Sequence, residues 1–185
     1  APPCRNIYAL SKALMERLFC RCNNITNTKF LCVRYGNVAW STGSVLPAWK
    51  AMLEKNNCIE TCGQDMYRYM FKVGDAARFV QRALNNYQLL SGKVVSMDMK
   101  SLKIKTMLDV IQRISNCEIK ATPPREGERM TEYLVGEEEL SMTKTIKIDN
   151  LKHYLIDFSK HAQNELKASI SAETSPKLSI EEIKG

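Results

Sequence analysis

Tyr8 and Lys12 stand four residues apart near the start of the sequence, followed by an apolar stripe of Leu14, Leu18 and Phe19. Residues four apart are neighbours on one face of an α-helix. A lysine ammonium beside a tyrosine hydroxyl favours the phenolate, the form that takes a proton. Paired in this way, the two side chains suit general-base work on an alcohol whose hydride passes to a nicotinamide.

Such a pair needs a helix to hold it and a sheet to hold the helix. The stripe from Tyr8 through Ser11 to Cys22 predicts the helix, which Asn23-Asn24 ends. Phe30 to Val33 is continuously apolar, as in a strand covered on both faces, and it leads into Arg34-Tyr35-Gly36-Asn37-Val38. Gly43-Ser44 opens a second helix with Pro47 in its first turn, running to about Lys55. Asp75 is placed to cap a helix that continues through Leu84. Lys93 to Met97 reads as a strand, Ile104 to Ile114 as a helix, and Cys117 to Ala121 as another strand. Helices alternating with short strands predict an α/β fold. Beyond Pro123-Pro124 the stretch from Gly127 to Leu140 is acidic and reads as solvated. Thr145 to Ile148 alternates like an edge strand, and Leu151 to Phe158 is amphipathic. From Ser159 onward, weak periodicity and repeated Ser, Lys and Glu predict a frayed or disordered tail.

The chain has 185 residues, 44% hydrophobic and 25% charged, enough for an ordinary globular core. It contains no run of roughly 20 apolar residues that would span a membrane. Seven cysteines in no disulfide-like framework suit a reducing, cytoplasmic setting. Cys20, Cys22, Cys58 and Cys62 fit no standard zinc spacing, so no metal site is expected. A net charge of +7 admits an anionic partner, but no dense basic run with interleaved aromatics points to nucleic acid.

Five segments, in order, carry a resemblance to a known family. Pro3, Asn6, Tyr8, Ser11, Lys12, Glu16, Leu18 and Phe19 resemble the tyrosine-lysine signature of nucleotide-sugar epimerases and dehydratases. Val33 to Val38 with Ser41, Gly43, Ser44, Val45 and Pro47 resembles the CapD-like polysaccharide-biosynthesis branch, which includes the UDP-N-acetylglucosamine 4,6-dehydratases. Met66 to Tyr69, Met99 to Ile104, and Arg125 to Arg129 are similar to three further motifs of that branch. The resemblance implies the carboxyl-terminal part of a Rossmann-type doubly wound fold plus a small α/β substrate-binding domain. On that reading, residues 1–56 belong to the Rossmann-type part and 57–158 mainly to the nucleotide-sugar part. Residues 74–97 would return to the Rossmann sheet, and 159–185 would form the tail.

The same resemblance implies roles. Tyr8 and Lys12 would be catalytic and, with Tyr35, would bind the NAD(P) cofactor. Asn37 would hydrogen-bond the diphosphate or sugar of a UDP-sugar, Arg68 and Arg125 would clamp the diphosphate, and Glu128 would accept from the ribose hydroxyls. Two departures bear on substrate binding: Trp40 replaces a family glycine, and Glu126 replaces a proline beside Arg125. The branch also has an aspartate and a lysine just ahead of the position of Ala1, and a glycine-rich turn for the cofactor pyrophosphate, which these residues do not contain. The expectation is therefore no turnover by this chain alone, with an upstream segment or separate chain supplying the dinucleotide-binding half. Self-association is a further possibility, and a non-catalytic homologue serving as a binding or interaction module is the alternative reading.

Overall fold

The computed structural model describes residues 2–124, 126–160 and 166–184. In chain order these form α1 (Ile7–Cys22), β1 (Cys32–Arg34), β2 (Asn37–Val38), α2 (Val45–Asn56), β3 (Cys58–Thr61), β4 (Tyr67–Phe71), α3 (Val73–Asn85) and α4 (Tyr87–Leu90). There follow β5 (Val94–Met97), β6 (Ser101–Lys103), α5 (Ile104–Ser115), β7 (Glu118–Ala121) and β8 (Tyr133–Val135). A 3-10 turn (Glu137–Met142), β9 (Thr143–Ile148), β10 (Leu151–Ile156), β11 (Ile170–Ser171) and α6 (Ile180–Lys184) complete the order. Among the described residues, no helix is long and apolar enough to cross a membrane.

The chain divides into two units, each assembled from three separate stretches. The first comprises Ala1–Tyr35, Gly74–Asp98 and Tyr133–Ser171. Its sheet runs β1-β5-β10-β9, with β1 parallel to β5 and β10 antiparallel to both of its neighbours. The β9–β10 hairpin closes on Asp149 and Asn150, both at positive φ (51° and 61°). Two successive left-handed residues make the primed turn whose twist matches paired strands. Phe79 and Ala83 of α3 pack with Leu90, Val95, Ile148 and Leu155 to form the core. His153 to Ile156 are all buried, so β10 has no polar face to give an alternating pattern.

The second unit comprises Gly36–Val73, Met99–Glu132 and Ala172–Gly185. In it β2 lies parallel to β4, β4 antiparallel to β6, and β3 parallel to β7. The helices α2 and α5 each end on a left-handed asparagine, Asn57 (φ 49°) and Asn116 (φ 48°), whose N–H groups donate to Leu53 and Gln112. That cap turns the chain directly into the strand that follows, so the two helix–strand pairs lie side by side through β3 and β7. Trp49, Ile59, Met66, Met70, Leu102, Met107 and Leu108 fill the core.

Three features depart from the sequence reading. Asp75 lies inside the first turn of α3 and pairs with Arg78 at 2.6 Å, so it does not cap the helix. Residues 36–56 belong to the second unit and 133–158 to the first, because strand pairing joins segments far apart in sequence. The expected tail is ordered over 166–184, while 161–165 lie outside the described residues. Ala172 is fully buried, Ser175 Oγ meets the Tyr69 hydroxyl at 2.8 Å, and the Ser101 N–H donates to Pro176 at 2.9 Å. Specific polar contacts order this segment, which apolar periodicity does not report.

Candidate functional site

In the first unit, Asn6 caps α1 by accepting from the Ala9 N–H at 2.8 Å, which fixes the helix start at Ile7, immediately before Tyr8. Tyr8 is 72% exposed, and the Lys12 ammonium lies 5.4 Å from the centre of its ring. The two side chains thus lie one turn apart on an accessible face of α1, with the ammonium over the ring. The next turn carries Glu16, whose carboxylate takes hydrogen bonds from Arg34 at 2.6 and 2.9 Å and ties α1 to β1. Arg34 also donates to Glu139 at 2.7 and 2.8 Å and to the Leu134 carbonyl at 2.8 Å. Burial alone would raise the Glu139 carboxyl, but Arg34 outweighs it and holds the group below the ordinary carboxylate range. Tyr35, half exposed, packs edge-on against Phe79 with ring centres 6.4 Å apart.

In the second unit, a cavity of about 350 Å³ brings together Asn37, Arg68 and Glu128, with Ser44, Glu60 and Cys62 also in its wall. Asn37 comes from β2 and Arg68 from β4, two strands in register, so their proximity follows from the pairing of Asn37 with Met70. The Asn37 amide nitrogen donates to the Tyr69 carbonyl at 3.0 Å and to both carboxylate oxygens of Glu132 at 3.1 Å. Glu132 also accepts from the Tyr69 N–H at 3.0 Å and lies 3.6 Å from Arg68 Nε. Burial pushes the Glu132 carboxyl above the ordinary carboxylate range, although Arg68, Asn37 and Tyr69 oppose the shift. Arg68 also donates to the Tyr67 carbonyl at 2.9 Å. Glu128 accepts from the Cys62 thiol at 3.6 Å, a protein contact that the solvated reading of its acidic stretch did not anticipate. Arg125 lies outside the described residues.

Sequence reasoning missed Glu132 and the Ser44 hydroxyl. Ser44 Oγ is buried without a partner among the described residues, at the amino end of α2. Glu132 joins Asn37 across 95 positions, and nothing local distinguishes it from the acidic residues around it.

Residues 1–169 match the family described as "Polysaccharide biosynthesis protein". "Uncharacterized membrane protein MJ1061" of Methanocaldococcus jannaschii is 31% identical over 147 residues, covering 73% of this chain and 44% of its own length. A "UDP-N-acetylglucosamine 4,6-dehydratase (inverting)" of Campylobacter jejuni is 27% identical over 143 residues, covering 75% of this chain and 41% of its own. The chain thus spans less than half the length of these two relatives. Among solved structures, that of Pen from Bacillus thuringiensis superposes with a TM-score of 0.84 at 22% identity, over 98% of this chain and 56% of the other. The fold is α/β with Rossmann-type neighbours, in line with the sequence expectation.

Proposed function

Because the chain belongs to the polysaccharide biosynthesis protein family, we propose that it forms the carboxyl-terminal part of an NAD(P)-dependent nucleotide-sugar 4,6-dehydratase or epimerase. Its substrate would be a UDP-sugar such as UDP-N-acetylglucosamine. The observation that carries this reading is the accessible Tyr8–Lys12 pair on one face of α1. The hydroxyl and ammonium suit the nicotinamide-ribose end of the cofactor, whereas these 185 residues hold no glycine-rich turn for its pyrophosphate. Bound NAD(P) would supply the hydride acceptor and donor.

The chain's own residues then divide the remaining work. Tyr8 takes the proton of the sugar 4-hydroxyl, and Lys12, one turn on, holds the nicotinamide ribose. Tyr35 lines the cofactor side. In the second unit, Arg68 and Arg125 hold the diphosphate, since a planar guanidinium binds two phosphate oxygens at once. Glu128 accepts from the uridine ribose hydroxyls, and Asn37 contacts the substrate beside them.

The test begins with calorimetry of UDP on the chain, followed by co-expression with a dinucleotide-binding half taken from the Campylobacter relative. UDP binding together with a Tyr8-dependent product, either 18 mass units below UDP-N-acetylglucosamine or an isomer of equal mass separated by chromatography, supports the reading. UDP binding with no product would favour the non-catalytic binding module, and product from Tyr8→Phe would overturn the role of Tyr8.

A further inference from the structure

We propose that Glu132 is a positioning residue that fixes Asn37 as a hydrogen-bond acceptor, so that this part of the cavity selects a sugar hydroxyl or acetamido N–H over a phosphate oxygen. This rests on the nucleotide-sugar reading and sharpens it.

The amide of Asn37 has two N–H bonds to give. One goes to the Tyr69 carbonyl at 3.0 Å and the other is shared by the two Glu132 oxygens at 3.1 Å. A backbone carbonyl can only accept, so the nitrogen must face Tyr69 and the amide cannot be turned over. With both donors committed, only Oδ1 is left for a ligand. An ionised phosphate offers acceptors alone and has nothing to give to that oxygen. A hydroxyl or an acetamido N–H does.

Glu132 is itself held from two further directions, by the Tyr69 N–H at 3.0 Å and by Arg68 Nε at 3.6 Å. The same carboxylate therefore orients Asn37 and draws one edge of the Arg68 guanidinium. The charges in the described cavity wall agree with this division: Glu60 and Glu128 stand against Arg68 alone. Among the described residues of that wall, two carboxylates against one guanidinium do not favour a second anion, and the amide oxygen of Asn37 adds no positive charge.

Two measurements on the full chain test the assignment. In the nitrogen-15 spectrum, the Asn37 side-chain amide pair, assigned by its loss in Asn37→Asp, is expected to be well separated and slow to exchange. It should titrate with Glu132 above the ordinary carboxylate range. Glu132→Gln, which can still accept from the amide, keeps the pair in place but abolishes its titration, whereas Glu132→Ala collapses it to free-amide positions. A free-amide pair in the unsubstituted chain, or one unmoved by Glu132→Ala, overturns the proposal.

The second measurement is the ratio of Kd for UDP to Kd for UDP-N-acetylglucosamine. Glu132→Ala and Asn37→Ala should each reduce that ratio about fivefold, the worth of one hydrogen bond, while Glu132→Gln keeps it within about twofold. An unchanged ratio in Glu132→Ala overturns the selection. Failure of UDP to bind would instead defeat the nucleotide-sugar reading, and the amide spectrum would then decide the role of Glu132 by itself.

Discussion

Arg34 and Glu139, 105 positions apart, meet through two parallel hydrogen bonds of 2.7 and 2.8 Å in a site where the glutamate side chain is 1% exposed. Glu16 closes the other side of the guanidinium. Removing Arg34 would leave two carboxylates facing each other out of water. Arg34→Ala is therefore expected to destabilise the fold by about 3–5 kcal/mol in urea titrations near neutral pH. The loss should shrink as the pH approaches the carboxylate range and the stranded acids take up protons. Arg34→Lys should recover only part of it, since one ammonium cannot span both carboxylates and the Leu134 carbonyl.

His153 gives a separate pH dependence. It is fully buried, its Nδ1 meets the Leu151 carbonyl at 2.8 Å, and its Nε2 has no partner among the described residues. Burial is the largest influence and favours the neutral ring; Arg82 adds to it, while the Leu151 carbonyl and Asp149 oppose it. A folded-state value below the ordinary 6.5 means that this stability is present above about pH 6.5 and is lost as pH falls toward the folded value. The melting temperature should accordingly drop between pH 7 and pH 5, and His153→Leu should flatten that drop. An unchanged slope in the variant would remove His153 as its source.

Trp40 occupies the left-handed region at φ 63° while 62% exposed. A side chain there costs roughly 1–2 kcal/mol of backbone strain, partly offset in a glycine variant by the greater freedom of the unfolded chain. Trp40→Gly is predicted to be neutral to about 1 kcal/mol stabilising, and Trp40→Ala to gain nothing. Chemical denaturation of the three chains would show the order, and an alanine variant as stable as the glycine one would contradict it.

Tyr8 and Lys12 should separate function from stability. Both side chains are exposed, so Tyr8→Phe and Lys12→Met are expected to shift unfolding free energy by no more than about 0.5 kcal/mol. In the co-expression assay each should lower product formation by at least tenfold. A large loss of stability in either would mark the pair as structural.

The helix bearing Tyr8 is legible in the sequence because an asparagine cap, an apolar stripe and an asparagine end all point the same way. The β9–β10 hairpin is harder to see. Asp149-Asn150 lacks the glycine that usually announces a primed turn, and β10 carries Lys152 and His153 among its apolar residues, so it reads as amphipathic although His153 to Ile156 are all buried. In Glu137-Glu138-Glu139 the first two are exposed and the third is buried, a difference made by an arginine more than 100 residues away. The same reason hides Glu132: its importance lies in a side-chain contact with Asn37 across 95 positions, and local pattern carries no trace of distant partners.

The chain passes from one unit to the other five times, after Tyr35, Val73, Asp98, Glu132 and Ser171. No continuous stretch of gene therefore encodes either unit. Recombination cannot exchange either unit as a single cassette, and any change confined to one unit has to arise by substitutions scattered over three separate stretches.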